Sequence, residues 1–349
     1  MEPISTNSSS SKQQLIKLLK KLTPWRNSDE KHHSAPSTRM PKIGLALSSG
    51  GAKSLAHIGV LEVFEEHNIP IHAIAGSSMG AYVGALWATG HNAAAMRELA
   101  EEMQDPLTMK RLADPVMPPL KGLFYGNKVK AHLARSIGDQ HFEDLQRKLL
   151  VISANLDTYE RIVFRRGKLV DAVHASCAMP GIIVPVELDG VRCTDGGVVD
   201  PVPVGALKKF TDVDHVIAIS TVPRLQDIDT HDTATLTIRE DDQSEAQSWW
   251  QKALASINPG APGNMVDNLR RALRASQIRL AHDACLRASV AIYPVAEHAD
   301  WHAYHQYEEF IRIGREEALK ALPRVQQLLT PIPETPHDSR PNQLVVATR

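Results

Sequence analysis

The stretch Ile71-His72-Ala73-Ile74-Ala75-Gly76-Ser77-Ser78-Met79-Gly80-Ala81-Tyr82-Val83-Gly84-Ala85-Leu86-Trp87-Ala88 decides the fold. Ile71 to Ala75 reads as a short apolar strand and Ala81–Ala88 as a buried helix. Between them, Gly76-Ser77-Ser78-Met79-Gly80 is a G-x-S-x-G. A serine that turns sharply from strand into helix crowds the residues two before and two after it. Glycine at both places removes the Cβ clashes and admits a strained backbone. The Ser78 hydroxyl then projects at the carboxyl end of a sheet, over the free N–H groups and positive dipole end of the following helix.

Upstream, Ile43-Gly44-Leu45-Ala46-Leu47 reads as a buried strand, followed by a Gly/Ser turn and a helix from Ala56 to Glu66. Strand, helix, strand, helix in this rhythm predicts an α/β fold, a three-layer α/β/α arrangement with a mostly parallel central sheet. Leu149–Ile152 and Val216–Ile219 fit the same sheet, while Ile162–Phe164 and Val184–Val186 read as edge or hairpin strands. Helices are expected from Asn264 to Arg287 and from Tyr304 to Leu322.

The chain has 349 residues, 43% hydrophobic and 23% charged, with a net charge of -1. These values exclude a wholly disordered chain, a fibre and a disulfide scaffold, and leave no broad basic footprint for nucleic acid. Three scattered cysteines, Cys177, Cys193 and Cys285, form neither a disulfide framework nor a zinc cluster and read as reduced thiols of a cytoplasmic protein. No secretory signal is read at Met1–Ser11, and no run reaches the roughly 20 apolar residues that span a bilayer.

Residues 1–40 form a basic polar tail, with seven basic residues against three acidic. Inside it, Leu15, Ile16, Leu18, Leu19 and Leu22 share a helical face opposite Lys12, Lys17, Lys20 and Lys21, a pattern that suits peripheral contact with an anionic membrane. Residues 41–325 form the main domain, within which 224–262 read as a polar insertion or lid around Trp249-Trp250. Residues 326–349, with Pro331, Pro333, Pro336 and Pro341, read as a Pro-rich tail without fixed structure. The sequence carries no signal of oligomeric state.

Two further motifs accompany the elbow. Ser48-Ser49-Gly50-Gly51-Ala52-Lys53-Ser54 follows the first strand and opens a helix, so consecutive backbone N–H groups can converge on one anionic oxygen, with Lys53 adding charge nearby. A nucleotide-binding P-loop would need glycines where Leu47 and Ala52 stand, and a dinucleotide loop would need them at Ser49 and Ser54. Asp195-Gly196-Gly197, followed by Asp200-Pro201-Val202-Pro203, puts a carboxylate on a turn that can approach another loop closely.

These three features in this order resemble the patatin-like phospholipase family. The similarity also takes in Ala56-His57-Ile58-Gly59-Val60-Leu61 and Ala175-Ser176-Cys177-Ala178-Met179-Pro180-Gly181. The resemblance implies a patatin-like fold and a Ser–Asp dyad without histidine, with Ser78 as nucleophile and Asp195 as base. It places Gly76, Gly80, Gly196 and Gly197 in the family motifs, and Gly50, Gly51, Ala52 and Lys53 in the oxyanion loop. Gly50 and Gly51 are the expected amide donors. It implies a lipid or other ester as substrate and neither metal nor cofactor. The chain departs from the family's G-G-G-x-[RK]-G at Ser49 and Ser54, which also motivates an alternative, a lipid-sensing protein with little or no activity. A Ser-His-Asp triad using His215, His231 or His282 fits poorly, because the elbow follows only the second strand and the Gly-rich loop the first, and His57 reads as a residue that packs or bonds locally.

Overall fold

The structure is a computed structural model that describes residues 38–118, 120–227, 265–296 and 299–334. They fall in two units, Met40–Thr330 and, separately, Met1–Arg39 with Pro331–Arg349. In the latter, Thr38–Arg39 pairs antiparallel with Ile332–Pro333. The amphipathic stretch near residue 15, the insertion around Trp249-Trp250 and most of the Pro-rich tail lie outside the described residues.

The larger unit holds strands β1 (Ile43–Leu47), β2 (Ile71–Ser77), β3 (Lys148–Asn155), β4 (Arg161–Phe164), β5 (Val186–Leu188), β6 (Val191–Asp195), β7 (His215–Ile219) and β8 (Val290–Ile292). Its helices are α1 (Ala56–Glu66), α2 (Met79–Ala88), α3 (Ala93–Glu102), α4 (Pro106–Arg111), α5 (Asn127–Ile137), α6 (Leu169–Ser176), α7 (Val204–Phe210), α8 (Met265–Leu286) and α9 (Tyr307–Gln327). One sheet runs β5-β6-β3-β2-β1-β7-β8, with β4 also paired to β3. The five strands from β3 to β8 are parallel; β4 and the β5–β6 hairpin are antiparallel additions. The patatin-like α/β architecture read from the sequence is the observed one.

Period-two alternation divides the core between the two faces of the sheet. Ile43, Leu45 and Leu47 of β1 join Ile74, Leu149, Val151, Ile217 and Ile219 on one face, packed by α1, α2 and α9. The other face carries Ala46, Ala73, Ala75 and Ala218 beside Leu150, Ile152 and Val216, and these small residues give α7 and α8 a shallow bed. Strands covered on both faces are apolar throughout, which is why β1 and β2 are legible as continuous runs. Across the first face, α1 and α9 touch backbone to backbone: a Cβ on Gly59 would strike the Ile311 carbonyl, and one on Gly314 the Ala56 carbonyl.

The strand expected at 184–186 runs instead over Val186–Leu188. Pro185 has no N–H for a ladder, and Asp189-Gly190, at φ 51 and 76, makes the two-residue turn that sets the hairpin register. That hairpin decides the site. Ile152 of β3 pairs with both Ser77 and Val163, and Ser153 with both Asp195 and Ile162. Since β4 takes one edge throughout, β2 and β6 share the other, end to end. Their tips, Ser77 and Asp195, therefore oppose consecutive residues of one strand.

Candidate active site

The elbow occupies one residue between β2 and α2. Ser78 has φ 55 and ψ -128, a conformation in which a residue with a Cβ is strained. The turn closes because Gly76 and Gly80 lack side chains. A Cβ on Gly76 would lie 2.5 Å from the Gly80 carbonyl oxygen, and one on Gly80 would meet the carbonyls of Leu47 and Ser48. Neighbours hold the strained residue in place. The Ser78 N–H donates to Ser176 Oγ at 2.8 Å, and Ser77 Oγ donates to the Asp200 carbonyl at 2.5 Å.

Strand β6 delivers Asp195 to the same spot. Ser78 Oγ donates to Asp195 Oδ2 at 2.5 Å, and the Gly197 N–H donates to Asp195 Oδ1 at 2.7 Å. A Cβ on Gly196 would collide with the Ile152 carbonyl, so that glycine lets the turn lie flat on β3. Asp195 is 4% exposed. Burial lifts its carboxyl from near 3.8 to about 6, against the opposing pull of the bonds from Ser78 and Gly197. At neutral pH it is ionised, yet more basic than a solvated carboxylate.

The turn after β1 faces this pair. The Ser49 N–H donates to the Pro201 carbonyl at 2.9 Å and the Ala52 N–H to the Trp301 carbonyl at 2.7 Å. Among the described residues, the N–H groups of Gly50 and Gly51 between them have no hydrogen-bond partner. Gly51 sits at φ 60, and a Cβ there would strike the Trp301 carbonyl. Lys53 is placed otherwise than its motif position implies: it is buried and its Nζ donates to the Ala296 carbonyl at 2.8 Å. Ser54 is consumed in bracing. Its hydroxyl donates to the Ser48 carbonyl and meets Thr221 Oγ1, each at 3.3 Å, while Thr221 Oγ1 donates to the Ser49 carbonyl at 3.1 Å.

Ser78, Asp195, Ser49, Gly50 and Gly51 line one cavity of about 710 Å³, walled by Met179, Ile182, Trp301 and, from α8, Leu273, Arg274 and Gln277. A second cavity of about 750 Å³ adjoins it at Gly51, Ser78, Met179, Ile182 and Trp301 and is mostly apolar, with Met79, Met103, Leu133 and Ile183.

Among the described residues no histidine bonds Ser78 or Asp195. His57 is buried with its Nε2 against the Ser48 carbonyl at 2.9 Å, and burial lowers its pKa to about 4. His215 begins β7, at the end of the sheet away from Ser78, and His282 is on α8. His231 lies outside the described residues. Among the described residues no three His, Cys, Asp or Glu side chains are grouped to hold a metal ion. No described helix is long and apolar enough to cross a membrane.

Three contributors escape the sequence reading: Ser176, Thr221 and the main chain of Trp301. Only Ser176 carries a signal, its place in the Ala175–Gly181 stretch.

The Patatin-like phospholipase family model matches residues 45–208. An uncharacterized NTE family protein of Mycobacterium tuberculosis is 36% identical over 182 residues, 52% of this chain and 49% of that protein. Patatin-like phospholipase domain-containing protein 6 of Homo sapiens is 28% identical over 250 residues, 70% of this chain and 17% of that protein. The chain thus spans about half the mycobacterial relative and less than a fifth of the human one. The crystal structure of the type III effector protein ExoU superimposes with a TM-score of 0.39 at 15% identity, covering 83% of this chain and 54% of that one. Residues 45–208, which contain the elbow, the β1 turn and Asp195, are a domain of the patatin-like phospholipase family.

Proposed function

We propose that this chain hydrolyses carboxylic ester bonds of lipids through a Ser78–Asp195 dyad and an acyl-enzyme intermediate. The observation that carries the reading is the 2.5 Å hydrogen bond from Ser78 Oγ to a buried carboxylate, beside two amides without a partner among the described residues, in a cavity that opens into apolar space. Homology to proteins named as phospholipases adds the substrate class.

Ser78 Oγ attacks the ester carbonyl as its proton passes to Asp195 Oδ2. Negative charge moves to the carbonyl oxygen, which the Gly50 and Gly51 N–H groups receive; one such donor is typically worth about 3–4 kcal/mol of transition-state stabilisation. Collapse breaks the bond to the alcohol oxygen, and Asp195 returns its proton to that leaving group. Water then attacks the acyl-enzyme, gives a proton to Asp195 and releases the fatty acid, and the proton returns to Ser78. The raised pKa of Asp195 suits a group that must both take and give a proton near neutrality. The apolar second cavity receives the acyl chain. Membrane contact through the basic segment at residues 12–22 belongs to the same proposal and is tested by cosedimentation with anionic vesicles.

The test is fluorophosphonate labelling together with incubation in a mixed lipid extract, recording which acyl species disappear. Labelling and loss of acyl lipid that both vanish in Ser78→Ala support the reading. A wild-type protein that neither labels nor consumes lipid overturns it in favour of a non-catalytic lipid-binding role.

A further inference from the structure

The chain carries serine at two places where the family's loop has glycine, and the two serines are used differently. Ser54 turns inward and is spent on Ser48 and Thr221. Ser49 does not. Its N–H and carbonyl are tied to Pro201 and Thr221, which fixes the residue, yet its hydroxyl has no partner among the described residues. Ser49 is 5% exposed, and what it exposes faces the cavity shared with Ser78, Asp195, Gly50 and Gly51. Gly197 makes the room: the Cβ it lacks would sit 2.6 Å from Ser49 Oγ and 3.0 Å from Asp195 Oδ1.

A hydroxyl that is held by its own backbone, opens only on this cavity and has no partner among the described residues is a donor available to an acceptor bound there. The acceptor in this cavity is the ester. We propose that Ser49 is a catalytic residue whose Oγ–H is a third donor, beside the Gly50 and Gly51 amides, to the oxygen that becomes negative when Ser78 attacks. This rests on the hydrolase reading above. The hydroxyl makes and breaks no covalent bond; it strengthens one hydrogen bond as charge moves from the Ser78–Asp195 pair onto the substrate oxygen. The position that departs from the family pattern thereby adds a side-chain donor to the main-chain ones. Ser49 and Ser54 together then describe a loop that replaced two glycines with one brace and one donor.

The experiment compares wild type, Ser49→Ala and Ser49→Gly on a soluble short-chain nitrophenyl ester, and follows the second-order rate of fluorophosphonate labelling. An oxyanion donor acts in the attack step for both reagents. Both variants are therefore expected to lose about tenfold or more in kcat and in kcat/KM, with KM little changed, and to label more slowly in proportion. Thermal unfolding of Ser49→Ala is expected to match wild type, because no hydrogen bond among the described residues is lost. Variants that keep wild-type kcat/KM and labelling rate overturn the proposal and leave Ser49 a space-filling residue. A drop in kcat alone, with kcat/KM and labelling intact, also overturns it, since it locates the hydroxyl in deacylation. Failure of the wild type to label or turn over overturns the hydrolase reading itself, and this inference with it.

Discussion

The turn after β1 and the turn after β2 end on the same cavity but are held by different means. The elbow at Ser78 is packed from bare backbone: Gly76 against Gly80 and Ala81, and Gly80 against the carbonyls of Leu47 and Ser48. Its strain at φ 55 is held by those contacts together with the bonds of the Ser78 N–H to Ser176 Oγ and of Ser77 Oγ to the Asp200 carbonyl. The β1 turn is instead cross-braced by hydroxyls, with Ser48, Ser54 and Thr221 bonding around it. A turn made of backbone contacts tolerates no added atom. A turn held by side-chain bonds can seat a serine where there is room for its hydroxyl, as at Ser54 against Ser48 and Thr221 and at Ser49 against Gly197.

The sharpest way to break the comparison is to remove what each turn presents. Ser78→Ala deletes the proposed nucleophile and is expected to lower kcat by about 10⁴-fold or more while abolishing phosphonate labelling. Persistent labelling at another residue would move the chemistry elsewhere. Asp195→Asn keeps the shape but cannot accept the proton, and a loss of about 10³- to 10⁴-fold is expected. Retained turnover would remove Asp195 from the dyad. Gly80→Ala pushes a methyl group into two carbonyls of the neighbouring turn. It is expected to cost about 3 kcal/mol of stability, read as a lower urea midpoint with an unchanged slope. A midpoint equal to wild type would show that the elbow is looser than its contacts indicate.

What was legible in the sequence divides along the same line. Ser78, Gly76 and Gly80 act within five residues of chain, so their spacing alone carries the geometry. The apolar runs of β1 and β2 mark strands covered on both faces. Asp195 was legible as a motif but not as the end of a strand: Val-Arg-Cys-Thr-Asp is short and half polar, and its register comes from Asp189-Gly190 and from an edge of β3 that β2 leaves vacant. The tie from Ala52 to Trp301 left no trace because it runs through a carbonyl oxygen, which every residue owns. Lys53 misled for the opposite reason, since its charge drew attention to a site while its stem leads away to Ala296.

The raised pKa of Asp195 gives an effect of the same size as Gly80→Ala and opposite sense. Folded Asp195 titrates near 6, above its ordinary value near 3.8, so between those pH values the native state binds the extra proton. Stability from the protonated group is complete below about pH 4 and is lost as pH rises through 6. Asp195→Asn does not titrate. Its stability relative to wild type should therefore rise by about 3 kcal/mol between pH 4 and pH 7, measured by urea unfolding at each pH. Activity is expected to follow the reverse course, with kcat/KM falling about tenfold per pH unit below 6 as Asp195, the proposed base, is protonated. A flat stability difference, or a rate that holds to pH 4, would show that the carboxylate is solvated and the elbow's partner less enclosed than its burial implies.

The smallest expected effect tests the brace itself. Ser54→Ala removes the bond to the Ser48 carbonyl and the contact with Thr221 Oγ1, but neither partner is orphaned. Thr221 Oγ1 keeps the Ser49 carbonyl and the Ser48 hydroxyl, and the Ser48 carbonyl keeps His57 Nε2. Because the partners stay satisfied, the cost is the net worth of the lost bonds, about 1 kcal/mol, rather than the penalty of a stranded buried group. The Gly50 and Gly51 amides should hold their places through the ties of Ser49 to Pro201 and of Ala52 to Trp301, leaving kcat within about twofold of wild type. A loss of stability as large as that of Gly80→Ala would mean that the two turns are equally intolerant, and the contrast between hydroxyl-braced and backbone-packed construction would fail at its softer member.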